Sequence, residues 1–314
     1  MPEPSFAEDV RTGLTKNGQK ELASKYLYDD VGSALFEAIT HLAEYGLTRA
    51  EQRLLRLHRT GIRRALRCPA LIAELGSGDG RKARVILESL GPCGRLSYYP
   101  IDVSPSALAR CSQELSGLGD LTVVGLEAPF LDGLAHAAAQ RQPEQPMLVL
   151  FLGSTIGNFD RAAAISFLAS IRNLLKPGDS LLLGTDLVKP IPRMLLAYDD
   201  PAGVTAAFNL NLLARVNREL GGDFDLRQFV HEARYNERER RIEMHLRSRR
   251  TQVVSVPAAG ITITLREEET IWTEACHKFS ISELPEIAAA TGFLPGIVWV
   301  DDDWPYALNL WAAQ

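Results

Sequence analysis

The sequence predicts an α/β fold that combines a parallel sheet with a second lobe. Between residues 70 and 186, short apolar runs alternate with segments of helical periodicity, a pattern typical of βαβ units. A glycine-rich turn follows the first of these apolar runs, as in doubly wound sheets. After residue 190 the alternation breaks, and a helical stretch is followed by strand-like runs with turns, which indicates an inserted lobe.

Each element is predicted from its own local pattern. Apolar runs of strand length occupy 70–75, 96–103, 121–125, 146–152 and 180–186. Helical periodicity occupies 1–68, 81–90, 104–115, 161–175, 190–220 and 281–291. Strand-like runs return over 229–246, 251–264 and the C-terminal segment. Thr48 and Glu51 match a capping box, which predicts that Thr48 is the N-cap of a helix.

Composition and charge exclude several classes of protein. The chain has 314 residues, of which 46% are apolar, enough for a large buried core. Lys plus Arg number 34 and Asp plus Glu number 39, and the net charge of −5 argues against a general nucleic-acid binder. No apolar run reaches the about 18 residues of a membrane span, and the first residues lack the features of a secretory signal. We therefore expect a soluble, cytoplasmic monomer without nucleic-acid or membrane partners.

Cysteines and histidines indicate neither a disulfide scaffold nor a metal site. The four cysteines form no CxxC pair and are few for a chain of this length; they are Cys68, Cys93, Cys111 and Cys276. The six histidines lack the HExxH spacing of a zinc site. We therefore expect no metal cofactor.

The glycine-rich segment Glu74–Gly80 is the first candidate for a ligand site. Glycines after the first strand allow a sharp turn and a close approach of the backbone to a ligand. The third glycine of the dinucleotide fingerprint is replaced by Arg81, whereas an acidic residue before a GxG turn is typical of S-adenosylmethionine (SAM) loops. Asp102 ends the second strand, where a carboxylate can accept both ribose hydroxyls. The alternative is a tight turn that binds no ligand.

Three other segments are weaker candidates. The small, polar loop 153–158 follows the fourth strand, where Asn158 can either bind a substrate or simply form a turn. Tyr28, Tyr45 and Tyr198 lie in polar contexts, but isolated tyrosines usually serve packing. Alternation over 271–276 predicts a strand with Glu274 and Cys276 on one face, and Ile271, Thr273 and Ala275 on the other.

Six separated blocks, in order, resemble the L-histidine Nα-methyltransferase family of ergothioneine biosynthesis. They are residues 26–33, 44–51, 74–78, 153–158, 208–212 and 241–246. The resemblance runs from about residue 20 to the C-terminus. The stretch from Gly125 to Leu134 is closer to the fungal-type branch, which includes an N-methyltransferase of prenylated tryptophan.

The resemblance implies a Rossmann-like methyltransferase domain and a substrate domain. The substrate domain would comprise the N-terminal helices (1–62) and the insertion 189–282. The methyltransferase domain would comprise 63–188 and 283–314. The implied reaction uses SAM to methylate the α-amine of histidine, up to the trimethylated betaine hercynine.

The resemblance also assigns roles to individual residues. For the cofactor, the matching residues are Gly76 and Lys82 at its methionine end, and Asp102 at its ribose. For catalysis, they are Tyr28, near both the cofactor and the substrate amine and a candidate proton relay through water, and Gly153 beside the amine. For the substrate, they are Asn158 and Tyr198 at the carboxylate, Tyr45, Glu274 and position 276 at the imidazole, and Met244 on the pocket wall.

Two positions depart from the family pattern. Cys276 stands where the histidine enzymes are expected to have serine, which raises the alternative of an N-methyltransferase for tryptophan or a histidine derivative. Leu131 stands where the fungal-type branch has an acidic residue, so no adenine contact is assigned. A third alternative is a nucleoside-binding protein without activity, which would have no need for the complete set of Asn158, Tyr198 and Glu274.

Overall fold

The structure is a computed structural model that describes residues 5–142 and 145–314. The chain divides into two compact units. The first unit comprises the residues up to Gly46 together with Lys189–His277. The second unit comprises Leu47–Val188 and Lys278–Gln314. The sequence assigns 47–62 and 278–282 to the substrate domain, whereas these residues lie in the second unit.

The helices and strands of the described residues are as follows. The α-helices are α1 (Phe6–Leu14), α2 (Asp30–His41), α3 (Leu47–Ala65), α4 (Arg81–Leu90), α5 (Pro105–Leu115), α6 (Phe130–Ala139), α7 (Arg161–Leu174), α8 (Ile191–Tyr198), α9 (Val204–Leu220) and α10 (Leu284–Ala290). The strands are β1 (Lys20–Glu21), β2 (Leu71–Leu75), β3 (Leu96–Asp102), β4 (Leu121–Val123), β5 (Leu126–Glu127), β6 (Met147–Phe151), β7 (Ser180–Asp186), β8 (Phe229–Asn236), β9 (Arg241–Ser248), β10 (Gln252–Val256), β11 (Ile261–Leu265), β12 (Thr270–His277), β13 (Phe293–Val300) and β14 (Tyr306–Ala313).

The second unit is built on one twisted sheet with the strand order β13-β14-β7-β6-β2-β3-β4. Strands β2, β3, β4, β6 and β7 run parallel, while β14 and β13 complete one side as an antiparallel pair. The direction of winding reverses between β2 and β6, and ligands of doubly wound sheets bind at this switch point. The predicted α/β, Rossmann-like fold is thereby confirmed.

The core of the second unit lies between this sheet and its helices. The central strands β2 and β6 are buried along their whole length, as expected for parallel strands with helices on both faces. Phe151 and Trp311 are among the largest buried side chains of this core. Asp160 caps α7 and Ser104 caps α5, each by accepting a hydrogen bond from the backbone three residues later. These caps fix where the helices begin beside the carboxyl ends of the strands.

The first unit contains the sheet β1-β12-β9-β8 and the hairpin β10-β11. Helices α2 and α9 pack against each other, and α9 also packs on β8 and β9. Asp29 caps α2 by accepting from the Gly32 backbone at 2.7 Å and also accepts from Asn211 on α9 at 2.7 Å. The cap therefore orders the turn that carries Tyr28 and joins it to α9.

The structure corrects one local prediction and adds one helix. Thr48 and Glu51 form no capping box: α3 already begins at Leu47, and the carboxylate of Glu51 accepts from donors of other elements. Periodicity does not predict helix α6, which begins at Phe130 after Pro129, an N-cap residue without a capping side chain. Among the described residues, no helix is long and apolar enough to cross a bilayer.

Cys68 and Cys93 form a disulfide in the second unit. The sequence does not predict this pair, since its spacing matches no short motif. The topology of the sheet brings the two cysteines together. Each cysteine lies three residues before a strand, and β2 and β3 are parallel neighbours that begin at the same edge of the sheet. Cys111 and Cys276 are buried free thiols.

Candidate functional site

The glycine loop, residues 76–80, follows β2 at the switch point of the sheet. Gly76, Gly78 and Gly80 have φ angles of 72°, 54° and 78°, a conformation that side chains other than glycine rarely adopt. A Cβ at Gly78 would have no atom within 4 Å, whereas one at Gly80 would lie 2.7 Å from the Cys111 sulfur. The loop is therefore packed against α5 on one side and open at Gly78.

Asp102 ends β3 and faces this loop. One carboxylate oxygen accepts from the Gly78 N–H at 3.1 Å, and the other accepts from the Ser104 N–H at 3.0 Å. Each carboxylate oxygen has two lone pairs, so both oxygens retain capacity for a further donor. A vicinal diol such as ribose supplies two such donors.

Lys82 lies in the first turn of α4, and its ammonium meets a buried carboxylate. Its Nζ is 2.9 Å from Oε2 of Glu51, which is fully buried. Burial lowers the pKa of Lys82, but Glu51, together with Glu74 and Asp79, raises it, and the pKa is raised overall. Oε1 of Glu51 accepts from the Gly153 N–H at 2.8 Å and from the Tyr306 hydroxyl. Lys82 and the loop after β6 are thus connected through one carboxylate.

Glu74, the acidic residue before the glycine loop, is buried in the sheet. Burial raises its pKa to about 8, although a hydrogen bond from the Tyr98 hydroxyl and the charge of Lys82 act in the opposite direction. The side chain therefore holds a proton over much of the neutral range.

These residues of the second unit fit a cofactor that carries both an amino-acid group and a ribose. Lys82 offers a cationic donor to a carboxylate and Asp102 offers acceptors to a diol. The glycine loop is open at Gly78, where a Cβ would meet no atom within 4 Å. A Cβ at Gly76 would lie 3.6 Å from the ring of Phe130, so an aromatic side chain borders the loop. Leu131 packs against the core, consistent with an apolar residue at that position.

The loop after β6 contains both Gly153 and Asn158. Gly153 has φ 75°, and Ser154, with φ 56°, is a non-glycine residue in the left-handed region. The Ser154 hydroxyl accepts from the Asp186 N–H at 2.8 Å, which holds the strained residue against β7. Asn158 ends the short 3₁₀ helix Thr155–Asn158. The loop is thus a rigid turn at the carboxyl edge of the sheet.

The first unit brings an aromatic cluster together around Tyr28. The Tyr28 ring contacts Phe36 and Phe208 at centroid distances of 5.5 Å each. Phe36 contacts Tyr45 at 6.3 Å, and Tyr45 contacts Tyr198 at 6.3 Å. These edge-to-face arrangements connect α2, α8 and α9 through their rings.

Strand β12 adds a carboxylate and a thiol to this cluster. Glu274 pairs directly with Met244 of β9, and Cys276 pairs with Ile242. A bulge at Thr273 shifts the register, so Ile271 lies on the same face as Glu274 and Cys276 rather than on the opposite face, as alternation alone predicts. The Tyr28 hydroxyl lies 3.5 Å from Oε1 of Glu274.

Tyr28 is a neutral phenol throughout the physiological range. Burial raises its pKa well above the ordinary value, and Glu274, Tyr45 and Cys276 act in the same direction. Its hydroxyl can therefore donate a hydrogen bond, and it can accept one from water, but it does not supply a phenolate base.

The buried His231 binds the backbone carbonyl of Tyr198. Nε2 of His231 donates to the Tyr198 carbonyl at 2.7 Å, so Nδ1 is the acceptor for the Asn209 amide at 2.9 Å. Burial lowers the pKa of His231, which keeps this neutral tautomer. The chain Asn209–His231–Tyr198 fixes the end of α8.

The site residues named from the sequence fall into two groups. Within the first unit, ring contacts, a hydrogen bond and strand pairing join Tyr28, Tyr45, Tyr198, Glu274 and Met244. Cys276 lies on the same face of β12 as Glu274. The second unit contains Gly76, Lys82, Asp102, Gly153 and Asn158. Sequence reasoning missed Glu51, Tyr306 and His231. The sequence assigns Glu51 to a helix cap, and no local pattern marks Tyr306 or His231.

Comparisons with known proteins agree over nearly the whole chain. The family described as "Histidine-specific methyltransferase, SAM-dependent" matches residues 6–313. The chain is 41% identical over 311 residues to the histidine N-alpha-methyltransferase of Mycobacterium tuberculosis (strain CDC 1551 / Oshkosh), covering 98% of this chain and 94% of that protein. The corresponding protein of Mycolicibacterium smegmatis is 42% identical over 311 residues, with the same coverage. The L-tryptophan methyltransferase trpM of Psilocybe serbica is 28% identical over 334 residues, covering 97% and 92%.

Proposed function

The chain belongs to the family of SAM-dependent, histidine-specific methyltransferases, and from this premise we propose that it trimethylates the α-amino group of L-histidine to hercynine. It is a SAM-dependent N-methyltransferase. The observation that carries the choice of a substrate with an N–H donor in its side chain is the position of Glu274. This carboxylate is buried, lies opposite Met244 and is within reach of the Tyr28 hydroxyl.

Glu274 is the residue proposed to recognise the imidazole. A carboxylate accepts hydrogen bonds only, so in a largely buried setting it favours a side chain with an N–H donor. Tyr45 and Cys276 are the proposed neighbours of the ring, and Met244 forms an apolar wall beside it. An aliphatic side chain would offer no N–H donor to the Glu274 carboxylate, which disfavours most other amino acids.

Asn158 and Tyr198 are the proposed ligands of the substrate carboxylate. The Asn158 amide and the Tyr198 hydroxyl are both neutral donors. The rigid 3₁₀ turn supports the position of Asn158, and His231 supports the position of Tyr198. Fixed donors of this kind orient the α-amine, which methyl transfer requires because the nitrogen lone pair must point at the methyl carbon.

Gly76, Lys82 and Asp102 are the proposed cofactor residues. When bound, SAM supplies an activated methyl group, so the protein has little covalent chemistry to perform. Lys82 would hold the methionine carboxylate and Asp102 the ribose hydroxyls, as their hydrogen-bonding capacity supports.

Tyr28 and Gly153 are the proposed residues at the amine. The amine must lose a proton before its lone pair can attack the methyl carbon. Because Tyr28 is a neutral phenol, we propose that it orders a water molecule that takes this proton, rather than taking the proton itself. Gly153 begins the loop proposed to lie beside the amine.

Cys276 favours a second candidate, methylation of tryptophan or of a histidine derivative. A thiol is a weaker hydrogen-bond donor than the serine hydroxyl expected at this position. An indole N–H can also donate to Glu274, and a relative named as an L-tryptophan methyltransferase covers nearly the whole chain. Histidine remains the first candidate, because the more similar relatives are named histidine N-alpha-methyltransferases.

Mass spectrometry of the products tests histidine against tryptophan. The purified protein is incubated with SAM and a mixture of the twenty standard amino acids, with a matched reaction that lacks SAM. Gain of three methyl groups by histidine alone is the expected result. Methylation of tryptophan would establish the second candidate, and histidine that stops at one methyl group would overturn the assignment of hercynine.

A further inference from the structure

We propose that Glu51 is a positioning residue that orients Lys82 toward the cofactor carboxylate and holds the loop that begins at Gly153. This inference rests on the proposed role of Lys82 at the methionine end of the cofactor. Glu51 itself would touch neither cofactor nor substrate. It would act through the two groups it binds.

The hydrogen bonds of Glu51 carry the proposal. Its carboxylate is fully buried in α3, and a buried carboxylate is stable only when its oxygens meet charged or polar donors. Oε2 binds the Lys82 ammonium at 2.9 Å, and Oε1 accepts from the Gly153 N–H at 2.8 Å and from Tyr306. One side chain thus satisfies donors from α4, from the loop after β6, and from β14.

Two glycines leave the space that this arrangement needs. A Cβ at Gly153 would lie 3.2 Å from the Lys82 nitrogen, tighter than an ordinary contact. A Cβ at Gly184 would lie 2.1 Å from the Tyr306 hydroxyl and 2.5 Å from Oε1 of Glu51. A larger residue at Gly184 would therefore displace Tyr306 or Glu51, and one at Gly153 would shift the Lys82 nitrogen slightly.

A purely structural role for Glu51 is less well supported. A contact that only attached α3 to the sheet would be largely redundant, because Arg53, two residues later, already binds Asp301 through two hydrogen bonds of 2.9 and 2.6 Å. The hydrogen bonds of Arg53 join α3 to Asp301 and involve neither Lys82 nor Gly153. The distinguishing feature of Glu51 is that its partners are two residues proposed to serve the cofactor and the substrate amine.

The hydrogen-bond donors of Lys82 explain why loss of the Glu51 charge should weaken cofactor binding. An ammonium group has three N–H donors, and Glu51 takes one of them, which fixes the direction of the remaining two. Loss of the Glu51 charge would release the flexible lysine side chain and remove a charged acceptor from the Gly153 N–H. A ligand carboxylate would then have to order Lys82 on binding, and its affinity would fall.

A double-mutant cycle tests the proposal on the full chain. Affinity for S-adenosylhomocysteine is measured by calorimetry for Glu51→Gln, Lys82→Met and the double variant, with thermal unfolding of each unliganded protein. We expect each single variant to bind about tenfold more weakly, and the double variant no more weakly than Lys82→Met. An effect of Glu51→Gln below about twofold, or full additivity in the double variant, would overturn the proposal.

Further variants separate positioning from folding and from the proposed cofactor site. Tyr306→Phe keeps the Glu51–Lys82 pair and should weaken binding by only about two- to fivefold, so it gives a milder test if Glu51→Gln folds poorly. Arg53→Gln is the matched control and should lower the unfolding temperature without changing affinity. If Lys82→Met binds normally, the cofactor assignment of Lys82 fails together with this inference. If only Glu51→Gln binds normally, the cofactor assignment stands and the inference fails alone.

Discussion

Glu274 lies directly opposite Met244 across the antiparallel pair β9–β12, and a bulge at Thr273 puts it there. Without the extra residue, Thr273 would face Met244 and Glu274 would point to the other side of the sheet. Two hydrogen bonds hold the bulge: Thr273 donates to the Met244 carbonyl at 3.0 Å, and the Trp272 ring N–H donates to the Glu274 carbonyl at 2.8 Å. The bulge thus aims a carboxylate at the aromatic cluster, a use common near active sites.

Glu274→Ala should weaken histidine binding by about 2 kcal/mol, because a charged hydrogen bond to the imidazole is lost. Affinity for S-adenosylhomocysteine should not change. Calorimetry with each ligand in turn checks both statements. Glu243→Gln is a suitable control, since Glu243 is adjacent to Met244 on β9 and binds Arg241 and Asn236. Equal losses of histidine and S-adenosylhomocysteine affinity in Glu274→Ala would contradict its role in substrate recognition.

Cys276→Ser should strengthen histidine binding by about fivefold at most, because a hydroxyl replaces a weak donor on the same face as Glu274. The side chain is buried and close enough to Tyr28 to influence its pKa, so the substitution acts within the cluster. Histidine titrations of the native protein, Cys276→Ser and Cys276→Ala measure the effect. Should the serine and alanine variants bind histidine equally well, the side chain at position 276 would have no part in recognition.

Local signals account for the parts of the site that the sequence predicts. The glycine loop follows β2 and Asp102 ends β3, and each of these strands is predicted from its own apolar run. The hydrogen bond between Gly78 and Asp102 follows from the parallel order of the two strands. The sequence predicts only part of the side-chain arrangement on β12. Alternation places Glu274 and Cys276 together, but it assigns Ile271 to the wrong face, since a bulge leaves no mark in the hydrophobic pattern.

Glu51 illustrates why the rest could not be predicted. The pattern of Thr48 and Glu51 is a sound local signal for a helix cap, and a helix does begin there. The carboxylate has stronger partners in Lys82, Gly153 and Tyr306, which are 31, 102 and 255 residues away along the chain. Only the folded sheet brings these donors to one point, so the buried network was not evident from any single segment.

Glu74 should make the stability of the protein fall as the pH rises from about 4.5 to about 8. The folded carboxyl holds its proton over this window, whereas the unfolded one has lost it, so deprotonation favours unfolding. One such group contributes a slope of at most about 1.4 kcal/mol per pH unit. Urea unfolding at about pH 6, 7 and 8 measures the slope.

Glu74→Gln should remove this contribution, because an amide does not titrate. The variant should therefore gain stability relative to the native protein as the pH rises, while the exposed Glu286→Gln should show the native slope. Tyr98→Phe should extend the decline above pH 8, since the Tyr98 hydroxyl lowers the pKa of Glu74. Parallel slopes for the native protein and Glu74→Gln would rule out a buried, protonated Glu74.

Removing the disulfide by Cys68→Ser with Cys93→Ser should lower the free energy of unfolding of the oxidised protein by about 3 kcal/mol, from the entropy of closing the loop. The two cysteines are 25 residues apart, and the loop between them contains β2, the glycine loop and α4. The bond lies at the edge where the strands begin, whereas the glycine loop lies at the opposite edge. Affinity for S-adenosylhomocysteine in the folded variant should therefore be unchanged.

Urea unfolding with and without a reducing agent supplies the measurement for this pair. Reduction should destabilise the native protein by the same amount as the double substitution, and it should have no further effect on the double variant. Thiol counting under denaturing conditions provides the control, because the oxidised native protein should show two thiols, those of Cys111 and Cys276. Four reactive thiols in protein purified without a reducing agent would show that Cys68 and Cys93 are close but unbonded. The predicted difference in stability between the oxidised and reduced forms would then not exist.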